Sequence, residues 1–127
     1  MIPYLAYEGI SQTPYSPLEK GKLARPLDED TLRSTVNSSK PWSRSLNDAD
    51  KEIIQRVQKI AEQRDALMIQ VSIAWLLSKP TVISPIVGIG KESHLKDIVV
   101  AVSLKLTEKI LDTWRSHMLL TYDLQVT

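Results

Sequence analysis

Apolar positions recur with helical spacing in two successive stretches of the chain. Ile53, Ile54, Val57, Ile60 and Ala61 fall at i, i+1, i+4, i+7 and i+8, one stripe on a 3.6-residue period. Asn47 or Asp48 stands ahead of the stripe as a capping residue, with Asp50 and Glu52 in the acidic first turn that a helix dipole favours. The spacing predicts a helix over 48–64. Residues 67–78 follow as a second helix, apolar all round through Met68, Val71, Ala74, Trp75, Leu76 and Leu77, the pattern of a helix buried on more than one side. Lys79-Pro80 ends it. The period then shortens: Thr81 to Val87 reads TVISPIV, apolar on both faces, as a strand buried in a parallel sheet does. After Gly88 and Gly90, Ser93 is placed to cap a helix whose Leu95, Ile98, Val99 and Val102 repeat at i, i+3, i+4 and i+7. Thr107 opens a last helical piece with Ile110, Leu111 and Trp114 on its apolar face.

The first part of the chain is less regular. Residues 1–12 carry no clear period. Ser11 to Ser16 reads as a short strand, limited by Pro14 and Pro17, which cannot donate to a ladder. Residues 16–47 are rich in Ser, Pro, Asn and charge and form a long loop punctuated by Gly21 and Pro26. The order is strand, long loop, two helices, strand, glycine turn, two helices. Alternation of this kind predicts an α/β fold with a parallel sheet. Two strands cannot close a sheet, so the strand at 82–87 needs further neighbours.

Length changes this picture. The chain has 127 residues, roughly half of the 250 typical of a (β/α)8 barrel. Its 43% apolar and 24% charged residues are those of an ordinary globular domain. The net charge is +1, with both signs spread over both halves, which gives no footing for nucleic acid or an acidic membrane as partner. No cysteine is present, so disulfides, thiol catalysis and Cys-ligated metal are excluded, as suits a cytoplasmic protein. No apolar run is long enough for a membrane span, and Met1-Ile2-Pro3-Tyr4 does not begin like a secretory signal.

Two turns carry candidate chemistry. In Tyr15-Ser16-Pro17-Leu18-Glu19-Lys20-Gly21-Lys22-Leu23, a turn at a strand end offers a hydroxyl and backbone N–H groups to a phosphate oxygen, with Lys20 and Lys22 nearby. In Gly88-Ile89-Gly90-Lys91-Glu92-Ser93-His94, a glycine turn leads into a helix N-terminus, an arrangement that suits an anion, with Lys91 as a point charge. From the residues alone, an ordinary surface turn is the commoner meaning of the first, and a plain strand-to-helix connection of the second. His94 and His117 form no zinc-type pair, and no metal site is indicated. Ser16 lacks partners at triad spacing. Trp42, Trp75 and Trp114 are too scattered for a stacking platform, and Trp75 is most simply core.

In combination, PYSPLEKGKLARP, AWLLSKPTVISPIVGIGKESHLKD and LKLTE resemble the C-terminal third of the aldo-keto reductase superfamily, in its fungal aryl-alcohol dehydrogenase-like branch. The resemblance covers residues 1–111, with 112–127 as a divergent tail. It implies part of a (β/α)8 TIM barrel: about two βα units, residues 11–16 as the seventh strand and 82–87 as the eighth, plus extra helices. It further implies NADPH-dependent reduction of small carbonyl substrates. Ser16, Pro17, Leu18 and Gly21 would line the pyrophosphate of NADP(H), Gly88, Gly90 and Lys91 would face the 2′-phosphate, and His94 and Asp97 would lie near the adenine.

The departures from the family pattern set further expectations. Ile98 stands where the family commonly has Asn, and Gly90 where it has a polar or basic side chain, leaving Lys91 with the 2′-phosphate. Asp65-Ala66-Leu67 replaces a Gly-Val-Ser linker, which predicts two helices fused or strained at their junction. None of Tyr4, Tyr7, Tyr15 or Tyr122 stands in the family's Asp, Tyr, Lys and His set, and strands one to six are absent, with Met1 aligning inside the family's sequence. The expectation is a chain with no catalytic residues, inactive alone, holding NADP(H) weakly or not at all. Its alternatives are a non-catalytic interaction module, with a protein partner completing the barrel, or an inactive remnant.

Overall fold

The computed structural model describes residues 1–29 and 45–112. Trp42, Trp114, His117, Tyr122, most of the loop beyond residue 29 and the tail after Asp112 lie outside the described residues. The elements are α1 (Ile2–Tyr7), a 3-10 segment (Glu19–Ala24), α2 (Asp48–Gln63), α3 (Met68–Leu77) and α4 (Glu92–Val100). Residues 108–112 are helical as well. Residues 1–12, which carry no clear sequence period, thus contain a short helix, and it buries none of its side chains.

The α2 helix starts where its sequence directs. The Asn47 side chain accepts from the Asp50 N–H at 2.7 Å, and the Asp50 carboxylate accepts from the Asn47 N–H at 3.0 Å, a reciprocal capping box. Its stripe is the core: Ile54, Val57, Ile60 and Ala61 are buried with Met68 and Val71 of α3, and Leu23, Leu46, Trp75, Leu104 and Ile110 pack around them. The α3 helix is buried on several sides, since Gln70, Ser72, Ile73 and Ala74 are buried too. It packs against α2, α4 and the 3-10 segment. Trp75 is only half-buried, at the edge of this core, with the Lys79 ammonium 3.9 Å from its ring centre.

The junction of α2 and α3 is strained but not fused. Asp65 takes a left-handed backbone with φ 49°. The Asp65 N–H donates to the Glu62 carbonyl at 3.3 Å and the Ala66 N–H to the Ala61 carbonyl at 3.0 Å, the bond pair of a Schellman motif. The Arg64 guanidinium donates to the Lys105 carbonyl and ties this corner to the segment before the last helix.

The expected seventh and eighth strands do not form as strands among the described residues. Two isolated parallel bridges replace them, Gln12 with Val82 and Tyr15 with Ile86. Between the bridges one segment advances three residues (12 to 15) and the other four (82 to 86), so the register slips by one. Pro14 and Pro85 lie in that interval and have no N–H to give. Burial differs from expectation for the same reason. Thr81 is buried, but Ile83 is 65% and Ile86 53% exposed, because the described residues supply no sheet neighbour over them. Ser93 does not cap α4: Lys91 is the extended residue before the helix and Ser93 lies within its first turn. The apolar stripe of α4 is largely open, with Leu95, Val99 and Val102 exposed. Thr107 precedes the last helix, and its carbonyl accepts from the Ile110 and Leu111 N–H groups at 2.9 and 3.0 Å.

Candidate functional site

Each of the two turns follows directly from one of the bridged segments. The Gln12 N–H donates to the Thr81 carbonyl at 2.6 Å and the Ile83 N–H to the Gln12 carbonyl at 3.1 Å. The Gln12 side-chain amide also donates to the Thr81 hydroxyl at 2.6 Å, which pins the register from both backbone and side chain. One turn further, the Ile86 N–H donates to the Pro14 carbonyl at 2.9 Å. Paired backbones lie roughly 4.8 Å apart. Ser16 comes one residue after the Tyr15 bridge and Gly88 two residues after the Ile86 bridge. Because the pairing is parallel, both turns leave from the same end.

The first turn is wound tightly. Ser16, Glu19, Lys20 and Gly21 all have positive φ, at 54°, 45°, 57° and 94°. Only Gly21, at φ 94°, is relieved of the usual side-chain penalty. Arg25 Nε donates back to the Gly21 carbonyl at 3.3 Å. Ser16, Pro17, Leu18 and Gly21 are half-buried. The turn offers fewer free donors than its sequence suggests. The N–H groups of Glu19, Gly21 and Leu23 donate to the carbonyls of Ser16, Leu18 and Leu18 at 3.0, 2.9 and 3.2 Å.

The second turn is open. Gly88, Gly90, Lys91 and His94 are exposed and Asp97 is half-buried. A Cβ at Gly88 or Gly90 would meet nothing within 4 Å, so the chain's own packing does not demand glycine there. The N–H groups of Gly88, Gly90 and Lys91 make no hydrogen bond among the described residues. Lys91, His94 and Asp97 stand three residues apart and share one side of α4 and its approach. Glu92, beside Lys91, is paired with Lys96 at 3.0 Å. A shallow cleft of about 520 Å³ lies elsewhere, between α2 and residues 108–112, lined by Arg56, Lys59, Ile60, Gln63, Lys109 and Ile110. No residue of either turn lines it.

One contact at the first turn was not singled out from the sequence. The buried Ser72 hydroxyl of α3 donates to the Leu23 carbonyl at 2.8 Å. The available signal was a hydroxyl inside an otherwise apolar helix, MIQVSIAWLL. No helix among the described residues is long and apolar enough to cross a membrane.

Comparison with known proteins connects these features. The sequence profile of the Aldo/keto reductase family matches residues 1–118. Versiconal hemiacetal acetate reductase of Aspergillus parasiticus is 38% identical over 113 residues, covering 84% of this chain and 32% of that protein. A Schizosaccharomyces pombe protein provisionally named an aryl-alcohol dehydrogenase is 39% identical over 113 residues, covering 86% of this chain and 31% of its own. The chain therefore spans about a third of the length of these relatives. A thermostable aldo-keto reductase crystallised with the inhibitor epalrestat superposes with a TM-score of 0.64 over 91% of this chain and 32% of its own, at 22% identity. That likeness speaks to fold alone.

Proposed function

The chain belongs to the aldo/keto reductase family, and on that footing we propose that it carries the phosphate-binding part of an NADP(H) site on a portion of a (β/α)8 barrel. The observation that carries this reading is the parallel pairing at Tyr15 and Ile86, which sends both candidate turns out at one end. The proposed places of residues 11–16 and 82–87 are the seventh and eighth strands. The second turn fits a phosphate: the N–H groups of Gly88, Gly90 and Lys91 make no hydrogen bond among the described residues, the turn precedes a nine-residue helix, and its glycines leave room for close approach. The fit of the first turn is narrower, resting on the Ser16 hydroxyl and the fixed backbone of Pro17 and Leu18. In this reading Lys91 supplies the positive charge for the 2′-phosphate, and His94 and Asp97 border the adenine.

The family reaction is reduction of an aldehyde or ketone by NADPH. Hydride transfer needs a carbonyl held against the nicotinamide and a positioned proton donor. Tyr4, Tyr7 and Tyr15 are exposed, and by the resemblance none of them matches the family's proton donor, so the chain by itself is proposed to be inactive. A titration with NADPH followed by tryptophan fluorescence tests the site. Weak saturable binding is expected, with Lys91→Ala reducing NADPH affinity roughly twofold to fivefold, the range for one exposed, screened charge. NADH, which lacks the 2′-phosphate, should be affected little. Equal loss for both cofactors, or aldehyde reduction by the isolated chain, would contradict the reading.

A second reading is a non-catalytic interaction module. The exposure of Ile83 and Ile86 on a segment held by only two isolated bridges favours it, since an extended segment with an open edge accepts another strand.

A further inference from the structure

We propose that Ser72 is a positioning residue that holds the first turn in its left-handed conformation through the carbonyl of Leu23; its consequence for cofactor binding rests on the NADP(H) reading above. Ser72 sits in the middle of α3 and is 3% exposed, between buried Val71 and Ile73. A hydroxyl at such a place is costly unless it is bonded. Serine inside a helix usually bonds back to a carbonyl of its own preceding turn. Here the hydroxyl reaches out of its helix to a carbonyl 49 residues earlier, at 2.8 Å.

The recipient needs such a tether. Glu19, Lys20 and Gly21 are consecutive left-handed residues, two of them with side chains. A residue with a Cβ is disfavoured in that region and persists only where its surroundings over-determine it. Bonds within the turn run from Glu19 to Ser16, from Leu23 to Leu18 and from Arg25 to Gly21 and tighten it. Ser72 connects it to the buried core, the α2–α3 pair whose Val57 and Val71 are fully buried. Leu23 reinforces the link by packing its own side chain on the same core.

The test uses the full chain as Ser72→Ala and Ser72→Thr, with Ile73→Val as a variant that thins the same helix without touching the tether. Amide hydrogen exchange at Gly21 and Leu23 should accelerate roughly fivefold to tenfold in Ser72→Ala, the consequence of losing one buried hydrogen bond. Exchange in α2 should stay unchanged, and Ser72→Thr should restore protection. NADPH binding should weaken in Ser72→Ala in parallel. Unchanged exchange at Gly21 and Leu23, or acceleration no more selective than in Ile73→Val, would overturn the tether. Selective acceleration in a chain that binds no NADPH even unsubstituted would support the tether and refute the cofactor reading instead. Selective acceleration with unaltered NADPH affinity would remove Ser72 from cofactor binding.

Discussion

Asp65 occupies a backbone position that favours glycine. At the C-terminus of α2 it is the left-handed residue of a Schellman pair, with φ 49°. A carboxylate near a helix C-terminus also meets the negative end of the dipole. Asp65→Gly removes both penalties and gains freedom in the unfolded chain, which opposes the benefit. The expected net effect is a stabilisation of roughly 0.5–1 kcal/mol, read as a higher urea midpoint at unchanged slope. A lower midpoint would mean that the Asp65 side chain itself sustains the turn. The strain at this junction was expected from the family resemblance, because Asp65-Ala66-Leu67 stands where the family has a linker that begins with glycine. The clean helix stop was not, because the bonds that make it are backbone bonds indifferent to side-chain type. Ser16, Glu19 and Lys20 show the same limit: left-handed residues other than glycine carry no mark in the sequence.

At the scale of elements, the core helices were legible, while the short α1 and the strands were not. The periodic stripe of α2 and the all-round apolar character of α3 specify burial against each other, and both partners are present in the chain. The cap was legible too, since Asn47 and Asp50 act within four residues. Asn47→Ala removes the acceptor for the Asp50 N–H at 2.7 Å and should cost about 1 kcal/mol by chemical denaturation. Because Asp50 is the other half of the same box, Asn47→Ala and Asp50→Ala together should cost less than the two losses added. Simple additivity would show that the two bonds act independently. In contrast, TVISPIV specifies burial against sheet neighbours that the described residues do not supply. The pattern was read correctly as apolar on both faces, yet Ile83 and Ile86 stay exposed and the pairing shrinks to two bridges. The Lys91–Ser93 boundary was misplaced for a smaller reason: serine is a good cap, but here the extended residue is Lys91.

For the molecule as a whole, the two turns were legible as separate motifs, while their adjacency needed the parallel bridges. Among the described residues, burial is uneven. Helices α2 and α3 bury their stripes, whereas Ile83, Ile86, Leu95, Val99 and Val102 remain exposed around the bridged segments and α4. Isolated exposed apolar residues are ordinary, but several of them on and just after a segment bridged along one edge make a surface prone to pairing. The chain should therefore self-associate with rising concentration in size-exclusion chromatography with light scattering. The double substitution Ile83→Lys with Ile86→Lys places charge on that edge and should shift the population to monomer. Both side chains are already mostly solvated, so the denaturation midpoint of the monomer should move by no more than about 0.5 kcal/mol equivalent. A wild-type chain that stays monomeric at the highest soluble concentration would count against the interaction-module reading. A large loss of stability in the double variant would mean that the edge is covered from within the chain, and that the two isoleucines belong to the core after all.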